Sequence, residues 1–154
     1  MKKSNNSATF IDYEDRQRCS MQFTRKGDYA LKAMAYMAQV KGNTPHTIDE
    51  ISENNNIPRH FLAKILKELT RANLLHSVKG ARGGYTLAKR PSDISLLQVM
   101  EVASGPMALN VCIDGGGKCP ESRSCVLYPV WQKASGSLLG IFGNTKLSSL
   151  RPKR

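Results

Sequence analysis

The sequence has 154 residues and lacks a long apolar run. No stretch reaches the roughly 18 apolar residues that a helix needs to cross a bilayer, and the N-terminal segment has no apolar signal core. We therefore expect a cytoplasmic protein with no membrane partner. The sequence contains only four cysteines, and in a reducing compartment these are expected to be thiols or metal ligands rather than a disulfide framework.

Signatures of catalysis and acidic residues are also scarce. The sequence has no apparent nucleophile–base pair, paired carboxylates or phosphate-loop motif, so we expect that the chain is not an enzyme. Lys and Arg number 23 against 12 Asp and Glu, a formal net charge of +11. Between residues 57 and 90, eight basic residues accompany a single acidic residue, Glu68. This basic excess is typical of a polyanion binder, although a solvated positive face gives the same pattern.

Helical periodicity predicts three helices in the first half of the chain. The first covers residues 25–40, and a second, short helix begins near Thr47, with Glu50 in capping-box spacing. Pro58 suits the first position of a third helix, which ends near residues 72–73. Its predicted apolar stripe consists of Phe61, Leu62, Ile65, Leu66 and Leu69. A short helix, a polar turn and a longer basic helix are typical of a helix-turn-helix.

The residues after the third helix predict a β-hairpin, or wing. Two short strands are expected at Leu75–Val78 and Tyr85–Ala88. Between them, residues 80–84 include three glycines, which tolerate the positive φ of a sharp turn. A further helix is predicted at Leu96–Ser104, with Ser95 as its cap. These elements predict a mainly α fold with a small β-hairpin wing.

Three cysteines follow in the stretch N-V-C-I-D-G-G-G-K-C-P-E-S-R-S-C. Six residues separate Cys112 from Cys119, and five separate Cys119 from Cys125. These intervals are wider than those of paired zinc ligands or ferredoxin-type runs. Because the segment between them is rich in glycine, the three thiolates can converge on one metal centre.

Several segments of the sequence resemble one known family. They are M-Q-F-T-R-K-G-D-Y-A-L-K-A-M-A-Y-M-A from Met21, I-P-R-H-F-L-A-K-I-L-K-E-L from Ile57 and G-A-R-G-G-Y-T-L-A from Gly80, followed by the three cysteines. In this order they are similar to the Rrf-type winged helix-turn-helix regulators, the family of the IscR- and NsrR-like iron-sulfur proteins. The resemblance implies a homodimer that binds a palindromic operator in double-stranded DNA, and an iron-sulfur cluster near the dimer interface.

The resemblance also implies which residues hold the cluster. Cys112, Cys119 and Cys125 match the three thiolate ligands, and Asp28 matches a position where a carboxylate completes a four-iron cluster. Relatives with a two-iron cluster often place His three residues after the last cysteine, where this sequence has Tyr128. The six-residue interval is one longer than is common in the family. Whether the cluster is 2Fe-2S or 4Fe-4S therefore remains open.

Other fourth ligands have weaker support from the sequence. Cys19 is chemically better than a carboxylate, because thiolate is the usual cluster ligand, but it lies in the N-terminal segment that we expect to be flexible. His46 and His76 have no favourable spacing and are expected to be surface or wing-adjacent side chains. For Asp28, a favourable interaction with a helix N-terminus is the alternative role. The cysteines themselves are alternatively redox-active or unliganded thiols.

Candidate DNA contacts divide into two groups. Early residues of the second helix of a helix-turn-helix face base edges, which indicates Arg59, His60 and Lys64 as base-reading residues. Each of these has a phosphate contact or a solvated surface position as its alternative. The residues expected to contact phosphates are Arg25, Lys26, Lys79 and Arg82.

These patterns predict four segments. They are a flexible extension at 1–20, a winged helix-turn-helix domain at 21–106, a cluster-binding loop at 107–125, and a dimerisation helix with a basic tail at 126–154. The apolar residues of the last helix have an intramolecular core as their alternative role. We expect a repressor whose operator affinity responds to a cluster that senses iron, redox state or nitric oxide. A cluster-free thiol-switch or partner-controlled regulator is the main alternative, and a zinc-stabilised nucleic-acid-binding protein is a further one.

Overall fold

The computed structural model describes residues 24–40, 44–80, 82–113 and 122–150. Within these ranges the elements are α1 (Arg25–Gln39), α2 (Ile48–Asn55), α3 (Arg59–Arg71), β1 (Leu75–Val78), β2 (Gly84–Leu87), α4 (Leu96–Ser104) and α5 (Tyr128–Asn144). The mainly helical fold with one antiparallel hairpin is the one that the sequence predicts. In the described part of the chain, no helix is both long and apolar enough to cross a membrane. The predicted extension at 1–20 and Cys119 lie outside the described residues.

Short polar side chains begin α1, α2 and α4. Thr24 accepts a hydrogen bond from the Gly27 amide at 3.1 Å, and Thr47 accepts one from the Glu50 amide at 3.2 Å. Ser95 forms the complete capping box predicted for α4. The box predicted for α2 is only half formed, because the Glu50 carboxylate turns away from its cap and bonds to His46 instead. These caps explain why local sequence signals locate the helix starts well.

The turn between α2 and α3 is closed by left-handed backbone at Asn56, with φ 53° and ψ 46°. Asn tolerates this conformation better than most residues. Ser52 donates a hydrogen bond to the Ile57 carbonyl at 2.7 Å and so ties the turn to α2. Pro58 has extended ψ and is the N-cap of α3, so the helix begins at Arg59, one residue later than the sequence predicted.

The core lies where α3 meets α1 and α4. The inner face of α3 buries Leu62, Ile65, Leu66 and Leu69, each exposed by 1% or less. Small residues of α1, including Ala30 and Ala33, allow α3 and α4 to approach closely. Burying each large side chain contributes about 1.5–3 kcal/mol, so this face sets the orientation of α3.

Phe61 is the exception to the predicted stripe. Its side chain is 48% exposed, so placing Phe61 in the buried stripe was wrong. Adjacent helical residues are about 100° apart around the axis, and Phe61 therefore falls at the edge of the face that Leu62 buries. Periodicity over a single turn does not separate the edge of a stripe from its centre.

The wing pairs β1 with β2 in antiparallel register, with Leu75 opposite Leu87 and Val78 opposite Gly84. The second strand begins one residue earlier than predicted. Gly84 has φ +157°, and a Cβ there would lie 2.4 Å from the His46 carbonyl oxygen. The chain before α2 therefore approaches the hairpin so closely that only glycine fits at this position.

Helix α5 is anchored mainly at its C-terminal end. The Leu96 amide donates to the Thr145 carbonyl, and the Leu147 amide donates to the Ile94 carbonyl, each at 3.0 Å. Leu147 is fully buried, whereas Val126 is 86% exposed and Ile141 is 63% exposed. Val130 and Leu127 are also exposed. The alternative in which the apolar residues of this segment form an intramolecular core therefore does not account for these four side chains.

Leu66→Ala and Phe61→Ala test the two sides of α3. We expect Leu66→Ala to lower the free energy of unfolding by about 2–5 kcal/mol, because it leaves a cavity in the core. Phe61→Ala should change that free energy by only about 0.5 kcal/mol, since the side chain is half exposed. Urea unfolding of metal-free, reduced protein, followed by circular dichroism at one protein concentration, measures both changes. Equal losses would place Phe61 in the core after all.

Candidate nucleic-acid interface and cysteine segment

The outer face of α3 carries a basic stripe. Because the inner residues are held in the core, His60, Lys64, Lys67 and Arg71 all face outward and are exposed. Their spacing of four, three and four residues keeps them on one side of the helix. Sequence reasoning assigned roles to His60 and Lys64 but not to Lys67 or Arg71. The same helical spacing was the signal that would have added them.

The first turn of α3 presents three exposed side chains, those of Arg59, His60 and Phe61. The Arg59 side chain forms an ion pair with the Asp49 carboxylate of α2. The rings of His60 and Phe61 lie 4.7 Å apart with 47° between their planes. Residues at this end of a recognition helix face base edges in the major groove. To contact a base or a phosphate as predicted, Arg59 has to give up its partner Asp49, whereas the two rings are already exposed to solvent.

The four side chains predicted to contact phosphates differ in their exposure and in whether they already form an ion pair. Arg25, at the start of α1, is exposed, as are Lys79 and Arg82 of the wing. Lys26 instead pairs with Glu68 of α3, with 2.6 Å between Nζ and Oε2. An exposed pair of this kind contributes about 0–1 kcal/mol, so Lys26 can still turn toward a phosphate at small cost.

The two histidines considered as metal ligands have different surroundings. His46 is buried at the base of the wing, where its backbone pairs with Tyr85 and its Nδ1 lies 2.8 Å from Glu50 Oε1. It is wing-adjacent, as expected, but it is not a surface residue. His76 is exposed on β1. Neither belongs to a metal-binding group of three or more His, Cys, Asp or Glu in the described ranges.

Two of the three clustered cysteines are described, and both come before α5 in the chain. Cys112 belongs to the 3-10 turn Val111–Ile113, and Cys125 accepts a backbone hydrogen bond from the Tyr128 amide at 3.2 Å. Both are free, partly buried thiols. A groove of about 430 Å³ runs between the 3-10 turn and α5, lined by Cys112, Ile113, Tyr128, Gln132, Ser135, Gly136 and Leu139. Tyr128, at the position where some relatives place histidine, thus lies beside Cys112.

Asp28 lies in the first turn of α1. It is exposed and pairs with Lys32 one turn later, with 2.7 Å between Oδ2 and Nζ. An acidic residue here also interacts favourably with the N-terminus of the helix. The same turn packs against the end of α4, where Thr24 Oγ1 and Ser104 Oγ are 2.8 Å apart. The segment that leads to the cysteines therefore leaves α4 beside Thr24, the cap of the helical turn that contains Asp28.

Comparison with known proteins identifies the family. A profile of the Rrf2 family, described as an iron-dependent transcriptional regulator, matches residues 23–153. The chain belongs to the Rrf2 family. Rrf2 proteins are DNA-binding transcriptional regulators and not enzymes, which confirms both the predicted class and the prediction that this chain is not an enzyme.

Individual relatives match this Rrf2 chain along most of their length. It is 32% identical over 132 residues to an HTH-type transcriptional regulator assigned in Aquifex aeolicus, covering 84% of this chain and 91% of that one. It is 31% identical over 130 residues to IscR of Klebsiella pneumoniae, covering 84% and 79%. Among solved structures, CymR, the global cysteine regulator of B. subtilis, has a TM-score of 0.71 at 25% identity and covers 85% and 98%. IscR of T. potens has a TM-score of 0.66 at 28% identity, covering 82% and 83%.

Lys79→Ala and Arg82→Ala test the DNA face, by which we mean the exposed outer side of α3 together with the exposed cations of the wing. We expect each to weaken binding to all duplexes and to lower the slope of log affinity against log salt by about 1, because each removes one phosphate contact. Lys133→Ala, an exposed cation on α5, is the matched control and should leave the slope unchanged. Fluorescence anisotropy between 50 and 200 mM salt, with a duplex selected from random sequences by the full chain, measures the slopes. An equal effect of Lys133→Ala would reject the assigned face.

Proposed function

We propose that this Rrf2 protein is a repressor that binds a palindromic operator as a homodimer and whose affinity depends on an iron-sulfur cluster. The observation that carries the proposal is the location of the cysteine segment. It leaves α4 beside the first turn of α1 and returns to α5 through Cys125. A group held by these cysteines would therefore be bound by the segment that connects the DNA-binding unit to the helix with exposed apolar residues.

The residues present fit such a cluster. Thiolates are its usual ligands, and Cys112 and Cys125 are free thiols with partial access to solvent. Asp28 lies in the first turn of α1, whose cap Thr24 contacts the end of α4, and this neighbourhood supports Asp28 as the fourth ligand, from this subunit or from a partner. When bound, the cluster would supply a centre that responds to iron supply, oxidation or nitric oxide.

The exposed apolar side chains of α5 support dimerisation. Val130 and Ile141 are both exposed to solvent, and α5 contains few charged residues that could keep such a surface soluble. A second copy of α5 would cover them, and a two-fold axis would place two α3 helices on one face of DNA. One helix-turn-helix reads few base pairs, so two half-sites about one helical turn apart provide the specificity that an operator needs.

The chain's own contacts offer a route from the cysteine segment to DNA. Backbone hydrogen bonds join the end of α5 to the start of α4. The end of α4 packs on α1 so closely that a Cβ at Gly27 would lie 2.8 Å from Ser104 Oγ. Helix α1 in turn contacts α3 through the core and the Lys26–Glu68 pair. A shift at the cysteine segment therefore displaces α1, and α3 with it.

A cluster-free thiol switch is the second candidate, and a specific observation favours it. The fold matches CymR as well as it matches IscR, and both described cysteines of the segment are free and partly exposed. Oxidation of such thiols alters the same segment without a metal. A structural zinc ion would use the same donors and is the third candidate.

Anaerobic purification of the full chain tests the cluster. We expect iron, sulfide and visible absorption, and an operator affinity that differs between cluster-bound and cluster-free protein by about 5–150-fold, the usual range of coupling between two sites. Cys112→Ser and Cys125→Ser should both lose the iron. Native mass spectrometry counts irons, sulfides and subunits together.

Each contrary outcome of that purification has a distinct meaning. Absence of iron and sulfide, with affinity that changes on thiol oxidation, would replace the cluster by the thiol switch. Stoichiometric zinc without visible absorption would indicate a structural metal. Equal operator affinity with and without the cluster would reject the sensor.

Asp28→Ala and Cys19→Ser decide the fourth ligand. We expect Asp28→Ala to lose iron or to release it faster during anaerobic chelation, because one coordination position is left without its carboxylate. Cys19→Ser should retain the wild-type iron content. Asp93→Ala, which removes an exposed carboxylate just before α4, is the matched control. An intact cluster in both Asp28→Ala and Cys19→Ser would reject both assignments.

A further inference from the structure

Three side chains from different segments meet at the base of the wing. The Tyr36 hydroxyl of α1 donates to Glu50 Oε1 at 2.8 Å, and His46 Nδ1 lies 2.8 Å from the same oxygen. Because a carboxylate only accepts hydrogen bonds, both neighbours act as donors. The rings of Tyr36 and His46 also meet edge to face, with centroids 5.6 Å apart. We refer to Tyr36, Glu50 and His46 as the wing-base cluster.

The wing-base cluster is joined to the wing by backbone hydrogen bonds. The His46 amide donates to the Tyr85 carbonyl and the Tyr85 amide donates to the His46 carbonyl, both at 2.9 Å. His46 thus adds a one-residue bridge to the outer edge of β2. Gly84 provides the space for this approach, because any Cβ would overlap the His46 carbonyl.

Electrostatics favour the ionised form of Glu50 in this position. The hydrogen bond from His46 is the largest cause that holds the pKa of the Glu50 carboxyl below its usual range, and the Tyr36 hydroxyl acts in the same direction. Desolvation, followed by the bond to Glu50, raises the pKa of Tyr36. The carboxylate therefore remains charged, and both its donors remain in place, at neutral pH.

The charged groups of the wing lie at its far end. Lys79 and Arg82 are exposed near the turn, and β1 and β2 have only four residues each. A two-stranded hairpin is marginally stable alone. The direction of the tip therefore depends on what holds the base, and α1 and α2 hold it through the wing-base cluster.

We propose that Glu50 is a positioning residue for DNA binding: by holding His46, it fixes the wing relative to α3 so that Lys79 and Arg82 reach the phosphates beside the groove that α3 occupies. Glu50 lies in the first turn of α2, and α2 is the helix that precedes the recognition helix α3 in the chain. One carboxylate thus joins α1, the helix-turn-helix and the wing. The inference rests on the DNA face described above and concerns its geometry, not the cysteine segment.

A double-mutant cycle of Glu50→Ala with Arg82→Ala separates positioning from simple stabilisation. If Glu50 positions the wing, Glu50→Ala alone should lower the salt slope by about 2, because both wing cations lose their phosphates. Adding Arg82→Ala should then change affinity by less than about twofold, although Arg82→Ala alone weakens it, since contacting or linked groups are not additive. Glu50→Gln, which keeps an acceptor for both donors, should restore most of the slope. Anisotropy with the selected duplex and cluster-free full chain gives these values.

Two controls keep the inference open to rejection. Ser95→Ala removes the cap of α4, lowers the stability of the fold and should leave the effect of Arg82→Ala unchanged. Tyr36→Phe removes only one donor and keeps the ring, so it provides a milder variant if Glu50→Ala does not fold. Hydrogen exchange at the Tyr85 amide should become faster in Glu50→Ala and Tyr36→Phe but not in Ser95→Ala.

Additive effects of Glu50→Ala and Arg82→Ala would overturn the inference, because they would show that the wing binds DNA in the same way without the carboxylate. An unchanged exchange rate of the Tyr85 amide in both Glu50→Ala and Tyr36→Phe would also overturn the inference. A wild-type chain that selects no duplex would instead contradict the DNA face itself. The two failures are therefore distinguishable.

Discussion

The buried inner face of α3 is the constraint on which the DNA-binding surface depends. Four large aliphatic side chains hold this face against α1 and α4, and each contributes about 1.5–3 kcal/mol. The surface ion pairs of the same helix, Arg59–Asp49 and Lys26–Glu68, contribute about 0–1 kcal/mol each. The core therefore decides which way α3 faces, and the ion pairs adjust to it. The outward direction of His60, Lys64, Lys67 and Arg71 follows from that core.

Features set by local chemistry could be predicted from the sequence. The caps at Thr47 and Ser95 and the strand Leu75–Val78 agree with their predicted positions, because the bonds that define them join residues close together in the chain. Features set by distant contacts could not. Glu50 leaves its expected capping role because His46 and Tyr36 compete for its carboxylate. Phe61 is excluded from the core because the space beneath α3 is already filled by Leu62 and Ile65.

The arrangement of the cysteine segment also depends on contacts between residues far apart in the chain. Spacing indicates that three thiolates can share a centre, but intervals of six and five residues in a glycine-rich segment allow several arrangements. The structure adds that Cys112 lines a groove on α5 and that the segment leaves α4 beside Thr24, the cap of the turn that contains Asp28. Neither relation has a local signal, since each depends on how α1, α4 and α5 pack. Family resemblance indicated Asp28, and the packing of α4 on α1 provides an independent reason to consider it.

The position of α1 constrains how any signal can affect DNA binding. Its first turn meets the end of α4, its middle packs on α3, and Tyr36 near its end reaches the base of the wing. A displacement of α1 therefore carries α3 and the wing together, because both are attached to it. Contacts within one half-site then change little, whereas the separation of two half-sites in a dimer changes directly. Regulation through this helix should alter operator affinity and preferred half-site spacing more than base preference, since the side chains that face the bases keep their relation to one another.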